Sequence, residues 1–357
     1  MKEKIFKKIK INGVTLKNRF VVSPMCQYSS KDGNPVNWHY KHLENLANSG
    51  AGLLMIEATA VEKKGKITHS DMCLENSNNF KNLKKLVSHV QNNSDIKIGL
   101  QISHSGRKGS TELPWVKPNS TLKKNSWKTL SSSPIKREYD WPTPKEMSLI
   151  DIKTVKRKFS ITSTLAKKLN IDCLELHMAH GYLLHQFFSP ISNKRKDKYG
   201  GNLKNRCRFL IEVAEKVRKI WPKNKVLGAR ITGIDWIKNG ITLKDSIYLT
   251  KQLKKVGFDY VCVSSGGLIS KTDFKSKPNF NYALAKKIKK SCKIKVRVGG
   301  MLDDINFAKK IINNNDVDLI SNARKYIYEP NFILKELSKL NPKNKIVPNQ
   351  YRRCYKI

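Results

Sequence analysis

The chain has 357 residues, a length that suits a single α/β barrel with insertions. Its seven cysteines form no C-x-x-C pair, which argues against a disulfide or zinc scaffold and predicts reduced thiols. Its first residues are charged, and no apolar run approaches the ~20 residues that span a bilayer, which argues against a membrane protein. Together these features predict a cytoplasmic protein. The net charge of +42 would suit nucleic acid, but lysines occur along the whole chain, which favours solvated helix faces, so nucleic acid is not an expected partner.

Short β-branched runs alternate with amphipathic stretches from the N-terminus to the C-terminus. Strands are predicted at residues 20–23, 52–58, 98–102, 173–177, 226–230, 260–264, 295–299 and 318–321. Helices are predicted at residues 39–49, 80–92, 151–169, 205–220, 242–256, 282–290, 303–313 and 331–340. Eight alternating units predict a (β/α)₈ TIM barrel that forms one domain over residues 1–357. The alternative, an open doubly wound sheet, would need a G-x-G-x-x-G turn after an early strand, and none occurs there.

The connection after the third predicted strand is too long for a plain loop. Residues 106–148 contain Trp115, Trp127 and Trp141, several prolines and no clear periodicity. Long loops in compact domains are usually functional or disordered, and this one follows the carboxyl end of a strand, where barrel enzymes place their active sites. We therefore predict a lid over the site, the alternative being a surface excursion without function.

Polar residues cluster after seven of the predicted strands, and in a parallel barrel these positions share one face. The segments concerned are residues 23–28, 57–60, 101–107, 177–182, 230, 299–300 and 322–324. Each signal alone is weak, because a histidine, tyrosine or cysteine at a strand end is often an ordinary structural residue. The prediction of a site rests on all seven falling together.

The chemistry of these residues indicates a phosphate-bearing cofactor. Backbone N–H groups after the last two strands, together with Arg324, fit the phosphate site usual in such barrels. Gln101 can offer both a donor and an acceptor to a flavin pyrimidine edge, and Arg230 is a permanent cation that suits the charge of a reduced flavin. A metal is not expected at His177 and His180, since no carboxylate or third histidine accompanies them.

The same residues resemble a known family. The segment 23–28, the segment 101–107 and, most specifically, the block from His177 to Arg206 are similar to the Old Yellow Enzyme family, and the resemblance spans nearly the whole chain. Cys26 and Tyr28 resemble the Cys-containing bacterial branch that includes xenobiotic reductases.

The resemblance implies a set of site residues and roles. For the cofactor, it implies non-covalent FMN with Ala58, Gln101 and Arg230 at the ring, and Cys26 as a residue that adjusts the flavin potential. For the substrate, it implies that His177 and His180 bind the carbonyl, that Tyr182 donates the proton and that Tyr28 lines the pocket. The full set of expected cofactor contacts is Ser23, Pro24, Met25, Cys26, Ala58, Gln101, Arg230, Gly299, Gly300, Ala323 and Arg324. One departure is Ala323, where the family usually has glycine and where a Cβ could crowd the phosphate if φ were positive.

The predicted reaction is hydride transfer from NADPH or NADH through FMN to an α,β-unsaturated carbonyl or nitro compound. Because both substrates use one site, ping-pong kinetics are expected. In the C-terminal tail, residues 341–357, the pattern Gln-Tyr-x-Arg resembles that of the Cys-containing branch, which implies that Arg353 reaches a neighbouring subunit's site in a homodimer or homotetramer.

Two alternatives of other classes are open at this point. A tRNA-dihydrouridine synthase would also be an FMN barrel and would suit the basic charge, but it leaves His177, His180 and Tyr182 unexplained. A non-catalytic basic binding protein on a decayed barrel would bind no flavin.

Overall fold

Eight parallel strands form a closed barrel in the computed structural model, which describes residues 3–270, 272, 274–340 and 346–355. In chain order the barrel strands are β1 Phe20–Val22, β2 Leu53–Ala60, β3 Lys97–Ser103, β4 Cys173–Met178, β5 Val226–Thr232, β6 Tyr260–Ser264, β7 Lys295–Val298 and β8 Leu319–Asn322. Each strand pairs with its sequence neighbours, and β8 closes onto β1. The strands are buried nearly throughout, which explains their almost continuous apolar character.

Eight helices form the outer layer. They are α1 Asn37–Ala47, α2 Ser77–Asn93, α3 Leu149–Lys167, α4 Leu203–Ile220, α5 Leu243–Val256, α6 Tyr282–Cys292, α7 Ile305–Asn313 and α8 Phe332–Leu340. Capping boxes start two of them, with Ser148 and Asp151 at α3 and Thr242 and Asp245 at α5; such a cap stabilises a helix by about 1 kcal/mol. All predicted strands and helices are present within a few residues, and the (β/α)₈ prediction is confirmed.

An antiparallel hairpin that was not predicted precedes the barrel. Ile9–Ile11 pairs with Val14–Leu16 around an Asn12-Gly13 turn, in which Asn12 has a φ of +50°. The apolar side chains of the hairpin pack with residues from the first part of several strands, among them Val21 and Leu53. The hairpin therefore closes the amino-terminal mouth of the barrel and leaves the opposite mouth for a site.

The insertion, residues 106–148, is anchored to the barrel at its base. Its only regular pairing among the described residues is a short ladder of Leu130–Ser131 with Lys145–Glu146. Ser132 Oγ donates to the carbonyls of Gln186 and Ser192 at 2.8 and 2.7 Å, and Arg195 donates to the Ser132 carbonyl at 3.0 Å. These bonds hold the insertion against the chain that follows β4. Among the described residues, no helix is long and apolar enough to cross a bilayer.

Candidate active site

Two cavities lie at the carboxyl ends of the barrel strands. The strand-end cavity has a volume of about 260 Å³ and is lined by Ser23, His180, Arg230, Ser264, Ser265, Phe280, Asn281, Gly299, Gly300, Met301, Asp303, Ser321, Asn322, Ala323, Arg324 and Lys325. The insertion cavity has a volume of about 340 Å³ and is lined by Tyr28, Ile67, Thr68, Lys108, Thr111, Glu112, Pro114, Pro118, Asn119, Arg137, Trp141 and Tyr182. Together they contain nine of the predicted site residues.

A larger groove of about 550 Å³ lies at the other end of the barrel, between the last turn of α6 and the residues before β8. Several lysines line it, but Lys286 pairs with Asp316 at 3.1 Å, and Lys289 and Lys295 pair with Asp318 at 3.0 and 3.5 Å. Much of its charge is therefore balanced locally, and the predicted catalytic residues lie elsewhere.

The glycine-rich end of the strand-end cavity provides a cradle of exposed backbone. Gly300 has a φ of +117°, and a Cβ there would lie 2.7 Å from Asn281 Nδ2, so only glycine fits without strain. Ala323 has a negative φ, −118°, so the positive φ that would make its Cβ a problem is absent. Arg324 is exposed beside it and forms no ion pair within the described part of the chain.

Arg230 gives this cavity a free cation. It lies on β5 in register with His177 of β4 and Cys262 of β6. Its Nε is buried and has no hydrogen-bond partner in the described structure. A buried guanidinium nitrogen without a partner is costly, so the position is suited to an anionic or oxygen-rich ligand.

Gln101 is buried and belongs to a network of polar side chains inside the barrel. Its Nε2 donates to Glu175 Oε1 at 2.7 Å, and Glu175 also accepts from Tyr260 Oη at 2.6 Å and from Arg297 Nη2 at 2.7 and 2.9 Å. Glu175 is ionised in its pair with Arg297, so its carboxylate can only accept hydrogen bonds. The Gln101 amide must therefore turn its nitrogen toward Glu175, which leaves the amide oxygen of Gln101 free to accept a hydrogen bond. The sequence contained a signal for this network, since Glu175 and Arg297 are charged residues inside otherwise apolar strands.

His177 and His180 form a relay of hydrogen bonds. The Ala179 N–H donates to His177 Nδ1 at 3.2 Å, His177 Nε2 lies 3.2 Å from His180 Nδ1, and His180 Nε2 lies 2.7 Å from Ser264 Oγ. Burial, with a contribution from Arg230, lowers the pKa of both imidazoles well below its usual value, so both rings are neutral. Each ring therefore carries its proton on Nε2, and His177 donates to His180, not into a cavity.

Tyr182 lies beside this pair at the start of the insertion cavity. Its ring is perpendicular to that of His177, with centroids 4.7 Å apart, and Lys108 Nζ lies 5.0 Å from its centroid. Burial raises the pKa of the Tyr182 phenol well above 10, so the side chain keeps its proton at neutral pH. Tyr28 faces the same cavity with a φ of +48°, and the Trp115 ring meets it edge-on at 6.1 Å.

The segment from Ser23 to Tyr28 crosses the barrel mouth; Ser23 is buried, and the residues from Pro24 to Tyr28, Met25 among them, are partly buried. Ser23 Oγ lies 2.6 Å from Ser321 Oγ, which ties the segment to β8. Burial and the nearby Glu57 raise the pKa of the Cys26 thiol, and a hydrogen bond from the Ala58 backbone opposes this; the thiol is neutral. Ala58 follows a β-bulge in β2.

Sequence reasoning placed Glu57 near the site but missed the role of two buried acid–histidine pairs that support it. Glu57 accepts the Gln27 N–H at 2.9 Å and lies 3.2 Å from His39 Nε2, which positions the Ser23 to Tyr28 segment. His185 accepts the Gly181 N–H at 2.7 Å and lies 2.8 Å from Asp235, which positions the turn between His180 and Tyr182. Both are acid–histidine pairs, a pattern that a search for buried charges in the sequence could have found.

Arg353 is the one predicted site residue that the structure keeps apart from the others. It lies exposed in the segment Asn349–Tyr355 and lines neither cavity of its own chain. The rest of the predicted tail, residues 341–345 and 356–357, lies outside the described residues. Within the described chain, no group of three or more His, Cys, Asp or Glu side chains is arranged to hold a metal.

The strand-end cavity fits FMN on two grounds. Gly300 keeps a space that a Cβ would fill, and Arg230 has a buried nitrogen without a partner. Anion-binding backbone at the last two strands and a cation further along the same cavity match a cofactor with a phosphate at one end and an electron-accepting ring at the other. The fold and the cavity together are those of the flavin-dependent barrel oxidoreductases.

Comparisons with known proteins give the family. The chain belongs to the NADH:flavin oxidoreductase / NADH oxidase family, whose model matches residues 4–343. It is 34% identical over 355 residues to an NADPH dehydrogenase of Bacillus subtilis (strain 168), covering 99% of each chain. The resemblance to the Old Yellow Enzyme family is thereby confirmed, and the protein is an FMN-dependent oxidoreductase with a nicotinamide as reductant.

Solved structures share the fold. A 2-naphthoyl-CoA reductase in complex with 2-naphthoyl-CoA superposes with a TM-score of 0.86 at 22% identity, over 95% of this chain and 53% of that protein. Morphinone reductase in complex with tetrahydroNAD superposes with a TM-score of 0.78 at 19% identity, over 96% of this chain and 93% of that one. At these identities the superpositions establish the barrel architecture.

Proposed function

We propose that the protein is an ene-reductase that reduces the activated C=C bond of α,β-unsaturated carbonyl or nitro compounds, with NADPH or NADH as reductant and ping-pong kinetics. The observation that carries the proposal is the position of the Tyr182 phenol, which packs against His177 and lines the insertion cavity together with Tyr28 and Trp141. FMN, when bound, carries the hydride equivalent from the nicotinamide to the β-carbon of the acceptor. The other steps belong to the protein.

The cofactor-binding residues divide by position. Gly299, Gly300, Ala323 and Arg324 are assigned to the phosphate, and Arg230 and the Gln101 oxygen to the ring. Ser23, Pro24, Met25, Cys26 and Ala58 are assigned to the adjoining ring edge. A thiol that stays neutral beside the ring can change the flavin potential without itself taking part in bond formation.

The histidine pair is assigned to the activating group of the acceptor. Neutral imidazoles can donate hydrogen bonds to a carbonyl or nitro oxygen, on which negative charge develops as the β-carbon is reduced. In the structure the His180 N–H is held by Ser264 and the His177 N–H by His180. Acceptor binding therefore requires His180 to exchange these partners for the substrate oxygen, after which both rings can donate to it.

Tyr182 is assigned the protonation of the α-carbon. Its raised pKa makes it a general acid that keeps its proton until charge develops on the substrate. Tyr28 lines the cavity opposite as a substrate contact, and the insertion is proposed as the lid that excludes water. Arg353 is proposed to complete the site of a neighbouring subunit in a homodimer or homotetramer.

The test separates the two half-reactions. Wild-type protein should contain one FMN per chain, and anaerobic reduction by NADPH or NADH should be followed by reoxidation with enones or nitroalkenes but not with RNA. Tyr182→Phe should slow reoxidation by roughly 10²–10⁴ and leave reduction unchanged, because the proton enters only in the second half. Tyr28→Phe, which removes a hydroxyl from the same cavity but keeps the ring that contacts the substrate, is the matched control and should slow reoxidation far less than Tyr182→Phe.

Several results would refute the proposal. A folded protein that takes up no FMN would exclude a flavin enzyme altogether. Reoxidation by RNA but not by alkenes would favour the dihydrouridine synthase alternative. Equal slowing of both half-reactions in the Tyr182 variant would remove that residue from the donor role.

A further inference from the structure

The insertion cavity is lined by two cations. Lys108 and Arg137 both face it, together with Tyr28 and Tyr182, and Arg107 lies buried behind them. Burial, with contributions from Arg137 and Arg107, lowers the pKa of Lys108 to about 7, and burial with Arg137 lowers that of Arg107 to about 10. The three basic side chains are therefore close enough to repel one another, and Lys108 is only partly protonated at neutral pH.

Arg107 and Lys108 have structural partners. Arg107 donates to the carbonyls of Ile135, Lys136 and Leu268 at 3.0 to 3.3 Å, and Lys108 Nζ donates to those of His180 and Gly267 at 2.7 and 3.1 Å. These bonds attach the start of the insertion to the barrel loops. The carbonyls occupy Lys108 Nζ and both terminal nitrogens of Arg107, although Arg107 Nε has no hydrogen-bond partner in the described structure.

Arg137 differs because none of its guanidinium nitrogens, including the two terminal ones, donates to a carbonyl in the described structure. It is only 9% exposed, it donates no hydrogen bond within the described structure, and its Nε is buried without a partner. Its guanidinium lies 4.6 Å from the Trp141 ring centroid. Glu138 forms only a long ion pair with Arg137 Nε, at 3.7 Å, and its carboxylate also accepts the Ser270 N–H at 2.7 Å. Glu112, which also lines the cavity, forms no ion pair in the described chain. A nearly buried guanidinium with no hydrogen-bond acceptor is an unfavourable arrangement that an oxyanion would relieve.

We propose that Arg137 is a specificity-determining residue that binds an anionic oxygen group, a carboxylate, on the acceptor. This inference rests on the proposed function, because it places the C=C bond of the acceptor at Tyr182 and its carboxylate at Arg137 in the same cavity. A planar guanidinium matches a carboxylate with two parallel hydrogen bonds, and the Trp141 face holds the guanidinium plane. The cavity volume of about 340 Å³ suits a small acceptor.

The same chemistry has a second source, since the 2′-phosphate of NADPH is also an oxyanion. The two sources act in different half-reactions, because NADPH is the reductant and the acceptor reoxidises the protein. A carboxylate-binding Arg137 changes the oxidative half-reaction only. A phosphate-binding Arg137 changes the reductive half-reaction with NADPH but not with NADH.

The experiment compares 4-carboxycinnamaldehyde with its methyl ester, which differ in charge at a site remote from the C=C bond. Wild-type protein should prefer the carboxylate in the oxidative half-reaction, and Arg137→Gln should lower kcat/KM for it by roughly 10- to 100-fold while changing the ester little. Arg137→Lys, which keeps the charge without the planar fork, should give an intermediate preference. Lys136→Gln, which removes an exposed neighbouring charge outside the cavity, should leave the preference unchanged.

Each outcome decides the point. The inference would be overturned if the wild-type protein showed no preference between the two acceptors, or if the Arg137 variants lost equal activity with both acceptors. A loss of activity confined to reduction by NADPH would overturn it as well. These tests remain available even if Arg137→Gln fails to fold, because the wild-type and Arg137→Lys comparisons do not depend on that variant. Reoxidation by the ester without preference would reject this inference and keep the proposed function. Reoxidation by neither compound, nor by any other enone, would reject both.

Discussion

The buried network around Glu175 makes a measurable prediction about stability. Glu175→Gln removes the negative charge that faces Arg297 Nη2 at 2.7 Å in a location where both side chains are fully buried. It also turns an acceptor shared by Gln101, Tyr260 and Arg297 into an amide that cannot satisfy all three. We expect a strong loss of stability, because a buried cation without its partner is among the most costly defects in a protein interior.

The magnitude follows from the geometry. Breaking a fully buried ion pair by removal of one member costs about 3–5 kcal/mol, whereas replacing both members by apolar side chains is often close to neutral. Glu175→Gln should therefore lower the thermal midpoint by roughly 6–10 °C, at about 2 °C per kcal/mol for a chain of this size. Glu175→Leu/Arg297→Met should recover part of the loss, because the unpaired cation is gone but Gln101 and Tyr260 still lack their acceptor.

The assay is thermal unfolding at saturating FMN, so that ligand-linked stabilisation is equal across variants. The control is Lys339→Gln, which breaks an exposed pair with Glu336 and should cost no more than about 0.5 kcal/mol. A second reading is FMN affinity, which should fall in Glu175→Gln because the Gln101 amide is free to turn its nitrogen toward the ring. If Glu175→Gln is as stable as the control, or if the double variant is as unstable as the single one, the network does not have the role assigned to it.

Three further predictions concern the site and the tail. Phenols should bind the oxidised protein through His177 and His180 and give a long-wavelength charge-transfer band. In an absorbance titration, His177→Ala or His180→Ala should weaken phenol binding by roughly 10- to 100-fold. The surface variant His89→Ala is the control and should bind phenols as the wild-type protein does. Cys26→Ala should shift the flavin potential by roughly 30 mV, about 1.4 kcal/mol for two electrons, and keep turnover; loss of all activity with FMN retained would argue for a covalent role. Deletion of residues 351–357 should weaken acceptor binding and leave FMN content intact, and light scattering should show that the protein is at least a dimer. A truncated protein that is monomeric and fully active would exclude a shared site.

The order of secondary structure could be predicted from the sequence because it depends on local patterns. Apolar β-branched runs and helical periodicity repeat eight times, and a parallel barrel is the arrangement that buries all of them. The polar residues at the strand ends were predictable for the same reason, since parallel strands bring their carboxyl ends to one face. The Asn12-Gly13 hairpin was also a local signal, although its short strands did not attract a prediction.

Only the tertiary structure decided how the side chains of the site face one another. Glu175 and Arg297 are 122 residues apart in sequence, and their pairing turns the Gln101 amide in a direction that no local pattern encodes. The proton positions on the histidine pair follow from the Ala179 backbone and from Ser264, which belongs to a different strand. In the sequence, nothing distinguishes Arg137 from the many other basic residues. Only the folded insertion shows that its side chain is buried beside Trp141 and that its Nε has no hydrogen-bond partner. Hydrophobic periodicity is a property of neighbouring residues, whereas the partner of a buried polar group is chosen by the packing of distant ones.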